Sequence, residues 1–190
     1  NPNGTDETAR DVHELVENPF RALPWTFPRK PAVVLVSHFY NEAMLLPYFV
    51  AHHASMFDAA ILVDGNSTDD SAAIVAEYAP STWRVVQSTN VGLDARRTDA
   101  EVAYWEATFA PDVWKLALTA AEFVVHPTLR EELEGAWRSG HGVARLPAYY
   151  MCGDDNTRGP LQRFTHLLAQ RSQCLRDINS WTEYARYVHR

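Results

Sequence analysis

Cysteine is nearly missing from this sequence. The 190 residues hold two, Cys152 and Cys174, too few and too far apart for a zinc motif or a disulfide framework. The expectation is two reduced thiols in a cytoplasmic protein. Positive charge is scarce too: 17 Lys and Arg stand against 24 Asp and Glu, a formal net charge of −7. A nucleic-acid groove would need a clustered basic face to neutralise phosphates, so no nucleic-acid partner is expected. No apolar run approaches the roughly 18 residues of a spanning helix, and no signal-peptide pattern opens the chain. Membrane spanning is excluded, while association with the inner membrane face stays open. Neither GxGxxG nor GxxxxGK(S/T) occurs, which removes support for dinucleotide and P-loop readings. A Ser nucleophile elbow is absent as well.

What is present is a core-forming chain, 46% hydrophobic and 12% aromatic, enough for one domain with a small appendage. Residues 5–20 read as an amphipathic helix with Thr5 as N-cap, and "RALPWTFPRKP" as a Pro-punctuated linker. Residues 1–30 are therefore expected to be an N-terminal appendage and 31–190 the main domain. "AVVLVSH" (32–38) is a continuous β-branched apolar run, as in a strand buried on both faces. A helix over 41–56, a strand at 59–64 and a helix over 69–79 follow. Next come a strand at 83–89, a helix over 94–110, a strand at 113–125, a helix over 128–140 and a strand at 142–151. Strand and helix alternate about four times, which predicts an α/β fold with a mostly parallel, Rossmann-like sheet flanked by helices. Ligands of such sheets sit beyond the carboxyl ends of the strands.

The strand ends are polar. "SHFYNE" places Asn41 and Glu42 at the start of a helix, where capping would also explain them. Asp64 ends an apolar strand, where packing is a poor explanation, because burying an unpaired carboxylate is costly. The following "GNSTDDS" makes a good turn and N-cap by itself. Asp94 and Arg97 fall after the third strand; a surface reading pairs the Arg residues there with Asp99 and Glu101. The fourth strand, "WKLALT", stops on the small corner Ala120-Ala121-Glu122. From Arg158 to Arg190, six Arg face only Asp177 and Glu183; they form a solvated surface or a small anion site.

The stretch "VVLVSHFYNEAMLLPYFVAHHASMFDAAILVDGNSTDDS" resembles the opening of a family 2 glycosyltransferase of GT-A fold. It is most similar to the branch with an "NE … hh … fD … vDxxStDxS" pattern and a later W-x4-DxDEF strand. The likeness covers about residues 32–125; "YYMCG", "PLQRF" and "RYVHR" resemble shortened later blocks. It implies that Asn41, Glu42, Asp64 and Asn66 hold a nucleoside and that Asp94 and Arg97 contact ribose, diphosphate or sugar. Thr119, Ala120 and Ala121 would line the corner where the family carries a DxD-type motif. That motif holds Mn²⁺ or Mg²⁺ on the donor diphosphate, since a hard divalent cation stabilises a leaving nucleoside diphosphate. Here the two aspartates are replaced by Thr119 and Ala121, leaving Glu122, and His189 of "RYVHR", as candidate ligands. Asp154 or Asp155 would serve as general base.

The resemblance implies transfer of a sugar from a nucleotide-diphosphate donor, UDP-linked, to a glycan or other hydroxyl acceptor. Three accounts of the altered corner compete: an active transferase with another means of neutralising the diphosphate, a natural pseudoenzyme, or acids removed by mutation to trap a complex. The alternative function is a non-catalytic nucleotide-sugar-binding or scaffold domain in a glycan-assembly protein. A nucleotidyltransferase would need a Gly- and Lys/Arg-rich first loop, which "SHFYNE" lacks.

Overall fold

The computed structural model describes residues 26–27, 31–90, 94–109, 113–147, 150–152, 173–175 and 185–189. The appendage expected over 1–30 lies outside them apart from residues 26–27. The described chain alternates strand and helix: β1 (Ala32–Phe39), α1 (Leu46–His53), β2 (Ala59–Asp64), α2 (Ser71–Tyr78), β3 (Trp83–Gln87), α3 (Ala95–Ala107), β4 (Val113–Thr119) and α4 (Leu129–Arg138). The strands β5 (Val143–Pro147), β6 (Tyr150–Cys152), β7 (Gln173–Leu175) and β8 (Ala185–His189) follow.

Six strands form one sheet in the order β3-β2-β1-β4-β8-β5. The first four are parallel, with Phe39 opposite Asp64, Asp64 opposite Gln87, and His38 opposite Thr119. Strand order reverses between β1 and β4, so the ends of these strands form the edge where a ligand would sit. The expected α/β, mostly parallel architecture is what the chain adopts. Its antiparallel part was not anticipated: β8 runs against both β4 and β5 and separates them. β6 and β7 pair as a second, two-stranded sheet, where Cys152 faces Gln173 and Cys174 faces Met151, one position out of register.

Strand β1 explains why a continuous apolar run was needed. Val33, Leu35 and Phe39 join one core with Leu46, Phe49, Trp114, Leu116 and Leu133. Its alternate residues, Ala32, Val34 and Val36, join a second core with Ile61, Val63, Val86, Trp105 and Phe109. Thus α1, α2 and α4 cover one face and α3 the other, and alternation along the strand feeds both layers. Trp114 is fully buried and donates its indole N–H to the Leu133 carbonyl at 3.2 Å. At the opposite end of the sheet, Arg130 forks onto Asp58 at 3.1 and 3.2 Å, and Asp58 also accepts the Val33 N–H at 2.9 Å. The aspartate of the "fD" pattern therefore ties α4 to β1 and β2, away from the ligand edge.

Two elements are shorter than expected. α1 begins at Leu46 rather than residue 41, because Asn41 has φ +53° and residues 41–43 spend their amides on the loop after β2. β4 ends at Thr119 rather than 125, because a turn follows and the Val124 peptide bonds to α1 instead of a strand.

Candidate functional site

The loops after β1, β2 and β3 are sewn together by side chains bonding to backbone. Asn41 Oδ1 accepts the Thr68 N–H at 2.7 Å, and the Asn41 N–H donates to Ser67 Oγ at 3.0 Å. The Glu42 N–H donates to Ser71 Oγ at 2.8 Å, and the Ala43 N–H to Asp69 Oδ2 at 3.1 Å. Ser67 and Thr68, explicable as a local turn, thus make cross-loop bonds; Asn41 is no helix cap. Asp64, only 4% exposed, accepts the Ser67 N–H at 2.8 Å. That partner is what lets a carboxylate end an apolar strand. Asn66, at φ +66°, donates to the carbonyls of Asn90 at 3.1 Å and Ser88 at 3.4 Å and accepts from Gln87 at 2.9 Å. Asn is among the few side-chain-bearing residues that tolerate this left-handed backbone.

Between these loops, Gly65 is obligatory. Its N–H donates to the Phe39 carbonyl at 2.8 Å. A Cβ there would lie 2.8 Å from the His38 ring and 3.1 Å from the Phe39 carbonyl. The loops after β1 and β2 can close this far only over a residue without a side chain.

The third loop hangs on a residue that sequence reading misplaced. Glu101 of α3, expected to be a surface charge paired with Arg, is 6% exposed. It accepts from Ser88 Oγ at 2.6 Å, the Thr89 N–H at 2.9 Å and Asn90 Nδ2 at 3.1 Å. The signal that could have found it is weak: an acid on a helix face shared with Trp105 four residues on. His38, near the end of β1, has its Nε2 buried with no hydrogen-bond partner among the described residues. Burial lowers its pKa, against the pull of Glu101 and Asp64.

The other nominated residues divide. Asp94 caps α3, accepting from the Arg96 and Arg97 N–H groups at 3.0 and 3.2 Å, and the Arg97 guanidinium lies 3.8 Å away from it, both side chains exposed. Glu42 is different: no hydrogen bond of its carboxylate is made among the described residues. Burial, then the charge of Asp69, raises its pKa. Asp69 itself is held below its ordinary value: burial opposes ionisation, but bonds from Ser71 and Ala43 prevail. Glu42 is thus a half-buried carboxylate of the edge with no hydrogen bond among the described residues.

The β4 corner is built otherwise. The Glu122 N–H donates to the Thr119 carbonyl at 3.0 Å, and Glu122 Oε2 accepts the Thr119 N–H at 2.7 Å. The carboxylate expected as a metal ligand closes the turn. Ala120 is buried in the core, while Thr119 and Ala121 are exposed. His189 pairs with Lys115, four positions before Thr119, or about 13 Å along the strand. The fold does not bring His189 to the corner. Among the described residues no cluster of three His, Cys, Asp or Glu could hold a metal. The described corner therefore does not fit the Mn²⁺ or Mg²⁺ that the resemblance implies. Asp154 and Asp155 lie outside the described residues. Among the described residues no helix is long and apolar enough to cross a membrane.

No protein-family model matches this chain, and neither does any curated protein. Solved structures do. A 4-diphosphocytidyl-2C-methyl-D-erythritol synthase matches with TM-score 0.46 at 12% identity, over 85% of this chain and 76% of that one. Glucosyl-3-phosphoglycerate synthase from Mycobacterium tuberculosis, in complex with phosphoglyceric acid, matches with TM-score 0.44 at 16% identity, over 84% of this chain and 56% of that one. A mycobacterial protein matches with TM-score 0.45 at 17% identity, over 84% and 53%. This chain spans about half the length of the latter two.

Proposed function

We propose that this chain is a glycosyltransferase-like domain that binds a nucleotide-diphosphate sugar, UDP-linked, at the carboxyl edge of β1–β4, without metal-assisted transfer at the β4 corner. The observation that carries this reading is the contrast in carboxylates. Glu42 stands uncommitted beside the interlocked loops after β1 and β2, whereas Glu122, the one acid of the corner, is spent on the Thr119 N–H. A half-buried carboxylate with no hydrogen bond among the described residues suits the N–H or hydroxyl groups of a nucleoside. A corner of Thr and Ala offers a leaving diphosphate no cation. Asp64, Asn66 and Asp94 support the pocket as its frame, since each already spends an oxygen or amide on backbone. Arg97, exposed and only loosely held by Asp94, would meet the diphosphate.

The test is calorimetric titration of UDP and several UDP-sugars with and without Mn²⁺, on this chain and on the Thr119→Asp, Ala121→Asp double variant. The expected result is binding indifferent to Mn²⁺ and no donor turnover in the natural chain, with Mn²⁺-dependent affinity gained in the variant. Donor turnover by the natural chain, with Asp154 or Asp155 as base, would overturn the non-catalytic part. Absence of nucleotide binding in both would overturn the whole reading in favour of a scaffold.

A further inference from the structure

Two adjacent histidines at the end of α1, with no role assigned so far, bond to the backbone of a single residue, Val124, in the segment leaving β4. The Val124 N–H donates to His53 Nε2 at 3.1 Å. His52 Nε2 lies 2.6 Å from the Val124 carbonyl. His53 Nδ1 lies 2.9 Å from the Phe49 carbonyl. These partners dictate the tautomers. Nε2 of His53 must be bare to accept, so its proton is on Nδ1 and goes to Phe49; Nε2 of His52 must carry a proton. The Phe123 ring lies over His53, centroids 5.6 Å apart and 29° between planes, and meets His52 edge-on at 5.4 Å.

We infer that His52 and His53 are positioning residues, a two-point clasp on the N–H and carbonyl of Val124 that fixes the exit corner Thr119–Glu122 at the ligand edge. Its bearing on ligand binding rests on the nucleotide-sugar reading above. Two anchors of the corner are visible among the described residues. Upstream, Thr119 is the last residue in register with β1, opposite His38. Downstream, five residues later, comes the clasp on Val124. Between them Ala120 is buried and Glu122 closes the turn, so the pose of Ala121 follows from where Val124 is held. His53 is fully buried among Phe49, Phe57 and Phe123, and His52 is the titratable group that acts on it. Burial, then His52, keeps it neutral at ordinary pH, against the Phe49 bond. The clasp therefore stays shut where the protein works.

Two variants separate hydrogen bonding from packing. His53→Phe keeps a ring but leaves the buried Val124 N–H without an acceptor; His53→Gln loses the ring but keeps an acceptor. Hydrogen-exchange protection at the Val124 amide is expected to fall about tenfold to a hundredfold in His53→Phe, the cost of a buried orphan donor, and less in His53→Gln. UDP affinity should follow the same order. Equal protection in both variants, or better protection in the Phe variant, would overturn the clasp. A measurement on the unaltered chain guards against variants that fail to fold: ¹⁵N spectra of the His53 ring should show protonation at Nδ1, and the Nε2-protonated tautomer would overturn the inference. If the natural chain binds no UDP, the nucleotide reading fails while the exchange and tautomer results still decide the clasp.

Discussion

The two halves of the carboxyl edge solve one problem, fixing loops beyond a parallel sheet, by opposite means. On the β1–β3 side, Asn41, Asn66 and Glu101 reach across between segments to bond backbone and side-chain groups, while Asp64 ties down its own loop at Ser67. On the β4 side the chain is held by apolar burial, a self-closed turn and two imidazoles. Among the described residues the first arrangement leaves the half-buried Glu42 over, whereas the corner's Glu122 bonds the Thr119 N–H. A polar frame pre-organises a site for a polar ligand, while an apolar corner has only Thr119 and Ala121 to present to one.

This contrast can be broken from either side. The largest effect expected is with acid. Native His53 stays neutral with its pKa lowered from 6.5 to about 3, while the unfolded chain takes up a proton below 6.5. Stability is therefore complete above about pH 6.5 and is lost as pH falls toward 3, by up to about 5 kcal/mol at roughly 1.4 kcal/mol per unit. Chemical unfolding at pH 7 and pH 4.5 should show a shallower pH slope in His53→Gln than in the natural chain; equal slopes would refute the assignment. On the polar side, Glu101→Ala removes the acceptor of Ser88, Thr89 and Asn90 and should cost about 3 kcal/mol in the same assay. A loss under 1 kcal/mol would mean water replaces the carboxylate. Asp94→Ala removes only an exposed N-cap, for about 1 kcal/mol. Ala121→Asp, at an exposed corner position, should change stability by less than about 0.5 kcal/mol. A large loss there would show that the corner is core rather than site.

The fold was legible in the sequence where the chemistry is local. The run "AVVLVSH" announced a strand buried on both faces, and the acid Asp64 at a strand end announced a polar edge. What stayed hidden depends on distant partners. Asn41 looks like a helix cap until Thr68, 27 positions on, takes up its side chain. Glu101 sits among Arg and Asp on a helix and reads as surface, since only the tertiary fold folds Ser88–Asn90 under it. Glu122 reads from the sequence as a candidate ligand, and its bond to the Thr119 N–H emerges only in the fold. Strand β8 could not be foreseen, because its partners, β4 and β5, lie far upstream.

That last strand has a consequence for how the chain is made. β8 occupies the place beside β4 but arrives after it and β5 have both been synthesised. Until then, β4 ends the parallel half with an open edge, and β5 has no ladder to join. Assembly on the ribosome is thus expected in two stages: a β3-β2-β1-β4 body that forms early, then a late closure in which β8 shields the exposed edge from pairing with other chains. A nascent chain halted before residue 185 should show a protected β1–β2 ladder and an unprotected β5, and protection of β5 at that length would rule the sequence of events out.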